Sequence, residues 1–445
     1  MYQVFRTRRS PGALKHSPVW KALALVLLFF FRLWYGLSAT MDYEDQRQIY
    51  LIGLKYYCTR LWPYFGADVV RHVQLPGALQ GLVVGLPLRL WTIPESPFLV
   101  VNTLSFSALC LFAWYCCKRL PGFPKWIVWG WLFTAPWTLN VSTNVYNVSY
   151  LLLGGVLFFV GFLETIPQFG ISAIPLWLAN LMMGFAVFWN AQFHASAVLL
   201  LPFLALSIYL QTKHSPLRES LVGLKGFLLG ATPTASLLVP TLLRYGSVAL
   251  GGTRALVQFR FSNLSSAFVI LAQLFSLASA EVPRFLGRDI ATRLTFLRSE
   301  PLAAPFAIIA LVLGLLQPIV MAVSVFRRHH HREDWPTVRG LAISAFVTIW
   351  ISFAFAAKSP KSHMYYLMLP VMMLFTFYVF SPWDSKRWFL TVAAVLLFCN
   401  LGFHFGLAAH NLREKSFYTY RASIVKAMDQ KDYTQMGERR RDARY

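Results

Sequence analysis

Long apolar segments separated by short polar ones run along most of the chain. About eleven of these segments approach the roughly 20 residues that a helix needs to cross the hydrocarbon core of a bilayer. The apolar segments lie at residues 22–37, 98–117, 126–139, 149–165, 172–190, 195–211, 223–243, 303–325, 338–357, 364–381 and 388–407. The pattern therefore predicts an all-α polytopic membrane protein with about 11 transmembrane helices.

The segment at 40–97 follows the first apolar run and holds two helical patterns that are poor spans. Residues 49–62 form an amphipathic pattern with basic interruptions, and residues 76–91 are apolar but contain Pro87 and Arg89. Both patterns are typical of helices that lie in the membrane interface. We therefore expect a long outer loop with two interfacial helices before the second span.

Basic residues set the expected sidedness of these helices. The chain has 41 Lys and Arg against 18 Asp and Glu, and most of the short loops on one side of the predicted bundle are basic. The positive-inside rule places those loops in the cytoplasm and the C-terminus outside. The resulting regions are a cytoplasmic N-terminus at 1–21, a transmembrane domain at 22–407 with outer loops at 40–97 and 246–302, and a charged extracytoplasmic tail at 408–445.

Composition excludes several other classes of protein. Apolar residues make up 57% of the chain and charged residues 13%, whereas soluble domains carry about 25% charged residues and disordered chains have low hydrophobicity. Five cysteines are too few and odd in number for a disulfide scaffold. We read the net charge of +23 as a topology signal, and expect a lipid bilayer and no nucleic acid as partner. The membrane is a bacterial inner or plasma membrane, or the endoplasmic reticulum membrane in a eukaryote.

An acidic cluster directly after the first span is the strongest chemical signal. Asp42, Glu44 and Asp45 stand within four residues of a chain that is poor in acids. One interpretation is capping, because carboxylates in the first turn stabilise the positive end of a helix dipole. The other is a catalytic carboxylate that takes a proton from a nucleophile, with a second acid able to orient the acceptor or bind a divalent metal. The two interpretations are compatible, and the sequence requires no cofactor.

The order of these features resembles the GT-C glycosyltransferases, in particular the protein O-mannosyltransferases, the lipid A aminoarabinose transferase and related bacterial sugar transferases. The resemblance lies in the basic N-terminus, the acidic residues after one span, the interfacial helices, the stretch LPGALQGL at 75–82 and the stretch KSHMYYLMLP at 361–370. It implies an inverting enzyme that moves a sugar from a polyprenyl-phosphate donor to a lipid, glycan or protein acceptor on the extracytoplasmic side.

The resemblance also implies roles for single residues in the first two outer loops. The first outer acid of the family corresponds to Asp42, or to Glu44 or Asp45 if the register shifts. His72 lies just upstream of the family's proline motif, and Asn147 stands where relatives often carry an acid. Asn can hydrogen-bond a sugar hydroxyl group but cannot act as a base.

A second group of residues is expected to bind the phosphate of the sugar donor. Lys358, Lys361 and His363 precede a span as the family's His-Tyr segment does, and Tyr366 could pack on prenyl or sugar. His194 stands where many relatives have a Lys, and Arg260 is one of several arginines in the loop at 246–302. The alternative for the lysines and the tyrosine is an interfacial anchor belt.

Two other functions compete with the transferase. A multi-pass transporter or lipid flippase should carry ionisable residues inside spans and an internal repeat, whereas we expect the ionisable residues of this chain at span ends and find no repeat. A membrane acyltransferase would use a His deep in a span, for which His404 is the candidate, without an acidic partner nearby. Three N-x-S/T sequons, at Asn140, Asn147 and Asn263, are interpreted as chance occurrences.

Overall fold

A computed structural model describes residues 18–38, 44–70, 73–169, 172–246, 257–287, 289–327, 332–414 and 416–436. Helices account for most of these residues, and one two-stranded sheet lies in the first long loop. The helices are α1 Pro18–Ser38, α2 Glu44–Thr59, α3 Leu79–Leu90, α4 Ser96–Arg119, α5 Lys125–Thr134, α6 Pro136–Ser142, α7 Leu151–Glu164, α8 Leu176–Phe193, α9 Leu201–His214, α10 Leu217–Ala235, α11 Val239–Tyr245, α12 Ala267–Phe275, α13 Val282–Leu286, α14 Ile290–Ser299, α15 Ala304–Val325, α16 Trp335–Ala354, α17 Leu369–Phe380, α18 Arg387–Arg413 and α19 Ser416–Asp429.

Nine helices among the described residues are long and apolar enough to cross a membrane. Each coincides with one of the apolar segments that the sequence marks as a span, so the prediction of a helical, multi-pass chain is confirmed in this coarser form. Some of them join a short 3-10 turn to the following helix. The nine are Val19–Ser38, Ser96–Arg119, Asn147–Glu164, Ala195–His214, Leu217–Tyr245, Ala304–Val325, Trp335–Ala354, Ser362–Trp383 and Arg387–Arg413.

Two predicted spans differ from this set, each for a physical reason. The segment at 126–139 is broken into α5 and α6 at Ala135, because Pro136 has no N–H to continue the hydrogen bonds of α5 and restricts the residue before it. The segment at 172–190 forms α8 without interruption, but Asn180, Asn190 and Gln192 lower its hydropathy. The count of about eleven spans therefore exceeds the nine that length and composition support among the described residues.

The first long loop contains helices at both predicted positions and a β-hairpin between them. α2 and α3 are shorter or more polar than a span, and strands β1 Phe65–Val70 and β2 Val73–Pro76 pair antiparallel with Phe65 opposite Pro76. The sequence analysis does not predict this hairpin. Gly77 follows β2 with φ of 121°, where a Cβ would lie 2.3 Å from the Gln192 side chain, so only glycine permits this turn.

The long loop at 246–302 holds a helical hairpin that bends back on itself. Phe261–Phe275 and Ser279–Leu286 are together apolar enough for a span but meet at 109°. The bend lies at Leu277 and Ala278, both with positive φ, and Leu277 O accepts a hydrogen bond from Trp137 N at 3.2 Å. The pair is thus either a broken span or a re-entrant loop, and its tip packs on α6.

Polar contacts show which helix ends lie together. The buried ion pair of Arg119 with Glu164 joins the last turns of α4 and α7, and Arg332, before α16, donates to Arg119 O at 2.8 Å. At the opposite end Arg413, at the end of α18, pairs with Glu300. We call the first group the Arg119 end and the second, which includes α2 and the hairpin, the α2 end.

The C-terminal segment folds back onto the first long loop. α19 buries Ile424, Ala427 and Met428, and Arg421 forms an ion pair with Glu95. Lys431 Nζ donates to the hydroxyl group of Tyr57 in α2. The tail is therefore docked on the protein through α19 and the turn after it.

Candidate functional site

Three span entrances meet at the α2 end. The spans that begin at residues 147, 195 and 362 each open with a 3-10 turn, at Asn147–Tyr150, Ala195–Leu200 and Ser362–Met368. The third turn contacts both of the others. Because polar residues immediately precede or begin each turn, their side chains are gathered from three distant parts of the sequence into one place.

Five basic side chains surround this junction, and we call them the basic cluster. Arg284, Lys358, Lys361 and His194 all lie close enough to His363 to interact with it electrostatically, and Arg284 Nη2 lies 3.5 Å from His363 Nδ1. His194, Lys358, Lys361 and His363 were the residues expected to bind a donor phosphate. The structure thus brings four of the expected phosphate-binding residues together with Arg284 of the bent hairpin, one of the loop arginines that the sequence did not separate from Arg260.

A buried carboxylate, Glu281, organises one side of the basic cluster. Its Oε1 accepts from Gln273 Nε2 at 2.9 Å and pairs with Arg284 Nη1 at 3.0 Å, and its Oε2 accepts from the hydroxyl group of Ser362. Gln273 in turn accepts from the hydroxyl group of Tyr365. Glu281 therefore fixes both Arg284 and the turn that carries His363.

His194 is held as a neutral hydrogen-bond donor. Its Nδ1 accepts from the backbone N–H of Ser196 at 3.1 Å, which leaves the proton of the neutral ring on Nε2. Burial, followed by the charge of Lys358, lowers the pKa of His194 to about 4. At pH 7 the ring thus offers an Nε2–H but no positive charge.

The lysine segment is anchored to two other parts of the α2 end. Lys358 Nζ donates to Val69 O in β1, so the basic cluster touches the hairpin. Asn263 Nδ2 donates to Phe353 O, Ala356 O and Lys358 O at 2.9 to 3.2 Å. The backbone that presents Lys358 is therefore fixed by a buried side chain of the bent hairpin.

The other expected site residues occupy different surroundings. Asn147 is buried at the start of the turn that precedes α7, and the preceding Tyr146 packs edge-on against His363 with ring centroids 6.0 Å apart. Tyr366 is fully buried, 5.6 Å from the Trp137 ring, and so faces protein. Arg260 is exposed beside α16, with its backbone N–H bonded to Ala354 O at 2.8 Å.

The acidic cluster is described only in part. Asp42 and His72 lie outside the described residues. Glu44 and Asp45 form the first turn of α2, as the capping interpretation expects. α2 contacts the turn Asn147–Tyr150, which contacts the turn of His363, so the start of the first long loop and the basic cluster share neighbours.

The structure bears on the three sequons and on a metal site within the described residues. Asn147 and Asn263 are buried, and Asn140 Nδ2 donates to Pro136 O at 2.9 Å, so these side chains are occupied or enclosed in the folded protein. No group of three or more His, Cys, Asp or Glu residues that could hold a metal ion occurs in the part of the chain that the structure describes.

Sequence reasoning missed Glu281, Ser362 and Gln273. Glu281 had one available signal, since it is an isolated acid in the long basic loop at 246–302. Ser362 and Gln273 had none, because nothing in their neighbourhood distinguishes them from other polar residues at helix ends.

Three comparisons with known proteins give no relative for this chain. No family model, no curated protein and no solved structure matches it.

Proposed function

We propose that this protein is an integral membrane glycosyltransferase of the GT-C type, which transfers a sugar from a polyprenyl-phosphate donor to an acceptor. The observation that carries the proposal is the basic cluster, which combines cationic and imidazole groups from distant segments at the bundle end that also holds the acidic helix start. Phosphate is bound best by such charge-assisted donors, with bidentate contacts from Arg. A cluster at one end of a helical bundle is also where a lipid-linked phosphate would lie.

The chemistry assigned to these groups is a single displacement. The acceptor nucleophile attacks the anomeric carbon of the sugar, its proton passes to a carboxylate of the acidic cluster, and the bond from that carbon to the phosphate oxygen breaks. The released polyprenyl phosphate carries the electron pair of that bond. Lys358, Lys361 and Arg284 stabilise its developing negative charge, and His194 donates a neutral hydrogen bond.

The topology proposed with this function has eleven crossings. α5 with α6 is counted as a span, because the ion pair of Arg119 with Glu164 puts the ends of α4 and α7 together and so requires a crossing between them. α8 is counted as well, because it follows Glu164 at the Arg119 end and leads to the turn Ala195–Leu200 at the α2 end. α2 and α3 then lie in the interface, and the bent hairpin is re-entrant. The Arg119 end carries the short basic loops, which supports a cytoplasmic location for it and an outer location for the basic cluster.

A transporter or flippase would be favoured by a charged residue inside a span. Arg32 is such a residue, buried inside α1, so the expectation that ionisable residues lie at span ends is wrong for this position. Its guanidinium donates to Phe133 O at 3.0 Å, Thr138 O at 3.3 Å and Ser142 Oγ at 2.9 Å. These bonds explain Arg32 as support for the broken helix, so we favour the transferase.

The proposal is tested with purified protein in nanodiscs and a radiolabelled polyprenyl-phosphate hexose. Lys358→Met and His363→Leu should each reduce transfer about tenfold or more, because each removes a hydrogen-bonding group from the phosphate site. Lys213→Met and His214→Leu are matched controls, since both residues are exposed at the Arg119 end. Equal transfer by all four variants would contradict the phosphate assignment.

The general base is tested separately in the acidic cluster. Asp42→Asn, Glu44→Gln and Asp45→Asn each remove one proton acceptor while keeping the size of the side chain. The variant that lacks the base should lose transfer by about a hundredfold or more with its donor binding intact. Full activity in all three variants would contradict the assignment of the general base to the acidic cluster.

A further inference from the structure

One carboxylate lies beside the basic cluster, where a negative charge opposes the binding of phosphate. Glu281 is 9% exposed, and its Oε1 lies 3.0 Å from Arg284 Nη1. Arg284, Lys358 and Lys361 are exposed, so their positive charges can reach a ligand. A charge of the same sign as the ligand lowers the affinity for it. Glu281 therefore weakens the phosphate site that it also supports.

The two histidines of the basic cluster add no charge to it. His194 is neutral, because its Nδ1 accepts from the backbone N–H of Ser196. Arg284 Nη2 lies 3.5 Å from His363 Nδ1, and a guanidinium group can only donate. Nδ1 is therefore the unprotonated nitrogen of a neutral His363 ring. The basic cluster and Glu281 together thus have a net charge of two positive units, from three cations and one anion.

The contacts of Glu281 indicate that its carboxylate is ionised. Arg284 donates to it, and so does the hydroxyl group of Ser362. Gln273 accepts from Tyr365 through Oε1, which leaves Gln273 Nε2 to donate to Glu281 at 2.9 Å. Donors therefore approach both carboxylate oxygens, and this arrangement stabilises the charged form.

The two phosphate species of the proposed reaction differ by one charge. The phosphate of the sugar donor is a diester with a single negative charge. When its bond to the sugar breaks, the phosphate keeps the electron pair and becomes a monoester with close to two negative charges at neutral pH. Cations alone would hold this product more tightly than the donor. A neighbouring carboxylate repels the product about twice as strongly as it repels the donor.

We propose that Glu281 is a specificity-determining residue, which limits how tightly the basic cluster holds the released polyprenyl phosphate and so allows the donor to replace it. The identity of the two ligands rests on the proposed function, whereas the preference between a diester and a monoester does not. One guanidinium group separates Glu281 from a phosphate bound to Arg284. At about 7 Å in water, one charge alters the affinity for another about threefold.

Glu281→Gln removes the charge and can keep every contact. The Oε1 atom of the glutamine can still accept from Gln273 and Arg284, as Oε1 of Glu281 does. Its Nε2 can donate to Ser362, because a hydroxyl group both donates and accepts. Glu300→Gln is the matched control, since Glu300 is also buried at the α2 end but pairs with Arg413 instead of a residue of the basic cluster.

The test compares two probes that differ by one charge, bound to the whole protein in phosphatidylcholine nanodiscs. Octyl phosphate is a monoester with close to two negative charges at pH 8, and octyl methyl phosphate is a diester with one. Each probe displaces radiolabelled octyl phosphate, which gives its dissociation constant. The ratio of the two constants is then compared between variants, and the partition of each probe into lipid cancels in this comparison.

Glu281→Gln should tighten the binding of octyl phosphate about tenfold and that of octyl methyl phosphate about threefold, so that the preference for the monoester rises about threefold. The preference in Glu300→Gln should equal that of the wild type. The difference between Glu281→Gln and the wild type should shrink in 1 M NaCl, where the Debye length is about 3 Å. Thermal unfolding of each variant verifies that it is folded.

The outcomes separate this inference from the proposed function. A purely supporting role of Glu281 would change the affinity for both probes by the same factor. That result, or an equal rise of the preference in Glu300→Gln, would overturn the inference even if the wild type transfers sugar. The expected rise in a protein that transfers no sugar would support the charge preference and reject the transferase. If sugar is transferred, octyl phosphate should inhibit Glu281→Gln at about a tenth of the concentration that inhibits the wild type.

Discussion

Arg32 shows how a single side chain can stabilise the break between α5 and α6. Phe133 O would normally accept from Trp137 N, but that N–H donates to Leu277 O, and Pro136 has no N–H at all. Phe133 O, at the end of α5, would therefore lack this donor in an environment without water. Arg32, fully buried, supplies one and also donates to Thr138 O in α6.

Arg32→Met should accordingly lower the free energy of unfolding by about 3 kcal/mol, because it removes a buried donor from Phe133 O and from Ser142 Oγ. Arg32→Lys should lose less, since an ammonium group can still serve one or two of these acceptors. Denaturant titration in mixed micelles measures both. Arg298→Met, at an exposed position, is the control, and an equal loss there would deny Arg32 this role.

His194 makes the stability of the protein sensitive to acid. Its folded pKa of about 4 lies below the usual value of 6.5, so the unfolded chain binds the additional proton as the pH falls from 6.5 toward 4. This contribution to stability is complete above pH 6.5 and is lost on acidification. His194→Gln should therefore lose less thermal stability between pH 7 and pH 5 than the wild type. His214→Gln, which changes an exposed histidine, should lose as much as the wild type does.

For single residues, the sequence indicated which side chains suit a phosphate better than it indicated which residues contact one another. His194, Lys358, Lys361 and His363 were selected because basic residues at span entrances suit phosphate, and the structure gathers them. Glu281 was missed because its role depends on tertiary contacts, in which its carboxylate binds Ser362, Gln273 and Arg284. Ser362 stands 81 residues from Glu281 in the chain, and no local pattern encodes that contact.

Among the elements, α2 is the one that connects the most functional features. It begins with Glu44 and Asp45, accepts a hydrogen bond from β1 through Gln48, and crosses α3 at close range, where Gly53 would clash with Val84 if it had a Cβ. α19 and the turn after it pack on α2 through Lys431 and the buried residues around Ile424. The C-terminal helix therefore supports the helix that carries the acidic cluster.

Ile424→Asp should detach α19, because it puts a charge into a buried apolar contact. Limited proteolysis should then cleave after α18 much faster than in the wild type, and sugar transfer should fall as α2 loses support. Ile424→Val keeps the contact and should behave nearly as the wild type does. Unchanged proteolysis of Ile424→Asp would show that the docking does not depend on this contact.

The success of sequence reasoning also varied between elements. Apolar runs identified nine helices with spanning properties, since burial in lipid requires a long apolar run whatever the tertiary fold. The hairpin of β1 and β2 was not predicted, because its strands are short and are stabilised by hydrogen bonds to Gln48 of α2 and Gln80 of α3. The bent hairpin was not predicted, because the chain reverses at Leu277 and Ala278 with positive φ. Leucine and alanine rarely adopt positive φ, so their presence does not indicate a turn.

For the molecule as a whole, the contacts at the helix ends constrain the number of crossings. Both α2, after the first span, and α19, after the last, lie at the α2 end. The chain must therefore make an even number of crossings between them, and an odd number in total. Nine and eleven satisfy this condition, whereas ten, which results from adding the bent pair to the nine candidates as one more span, does not.

Cysteine labelling tests this parity. In a background without the five native cysteines, Trp91→Cys and Lys431→Cys should react with a membrane-impermeant maleimide from the same side. Lys386→Cys, in the loop before α18, should react only from the other side. Opposite sides for Trp91→Cys and Lys431→Cys would require an even number of spans, and the docking of α19 on α2 would then be wrong.

The docking of α19 also has a consequence for how the protein is made. Because a ribosome synthesises the chain from its N-terminus, α2 is exposed long before the last span and α19 exist. The acidic start of α2 therefore lacks its final support until every other span has been inserted. A nascent chain that stalls before the last span would carry the whole basic cluster and still lack that support, so sugar transfer should appear only after α19 has been synthesised.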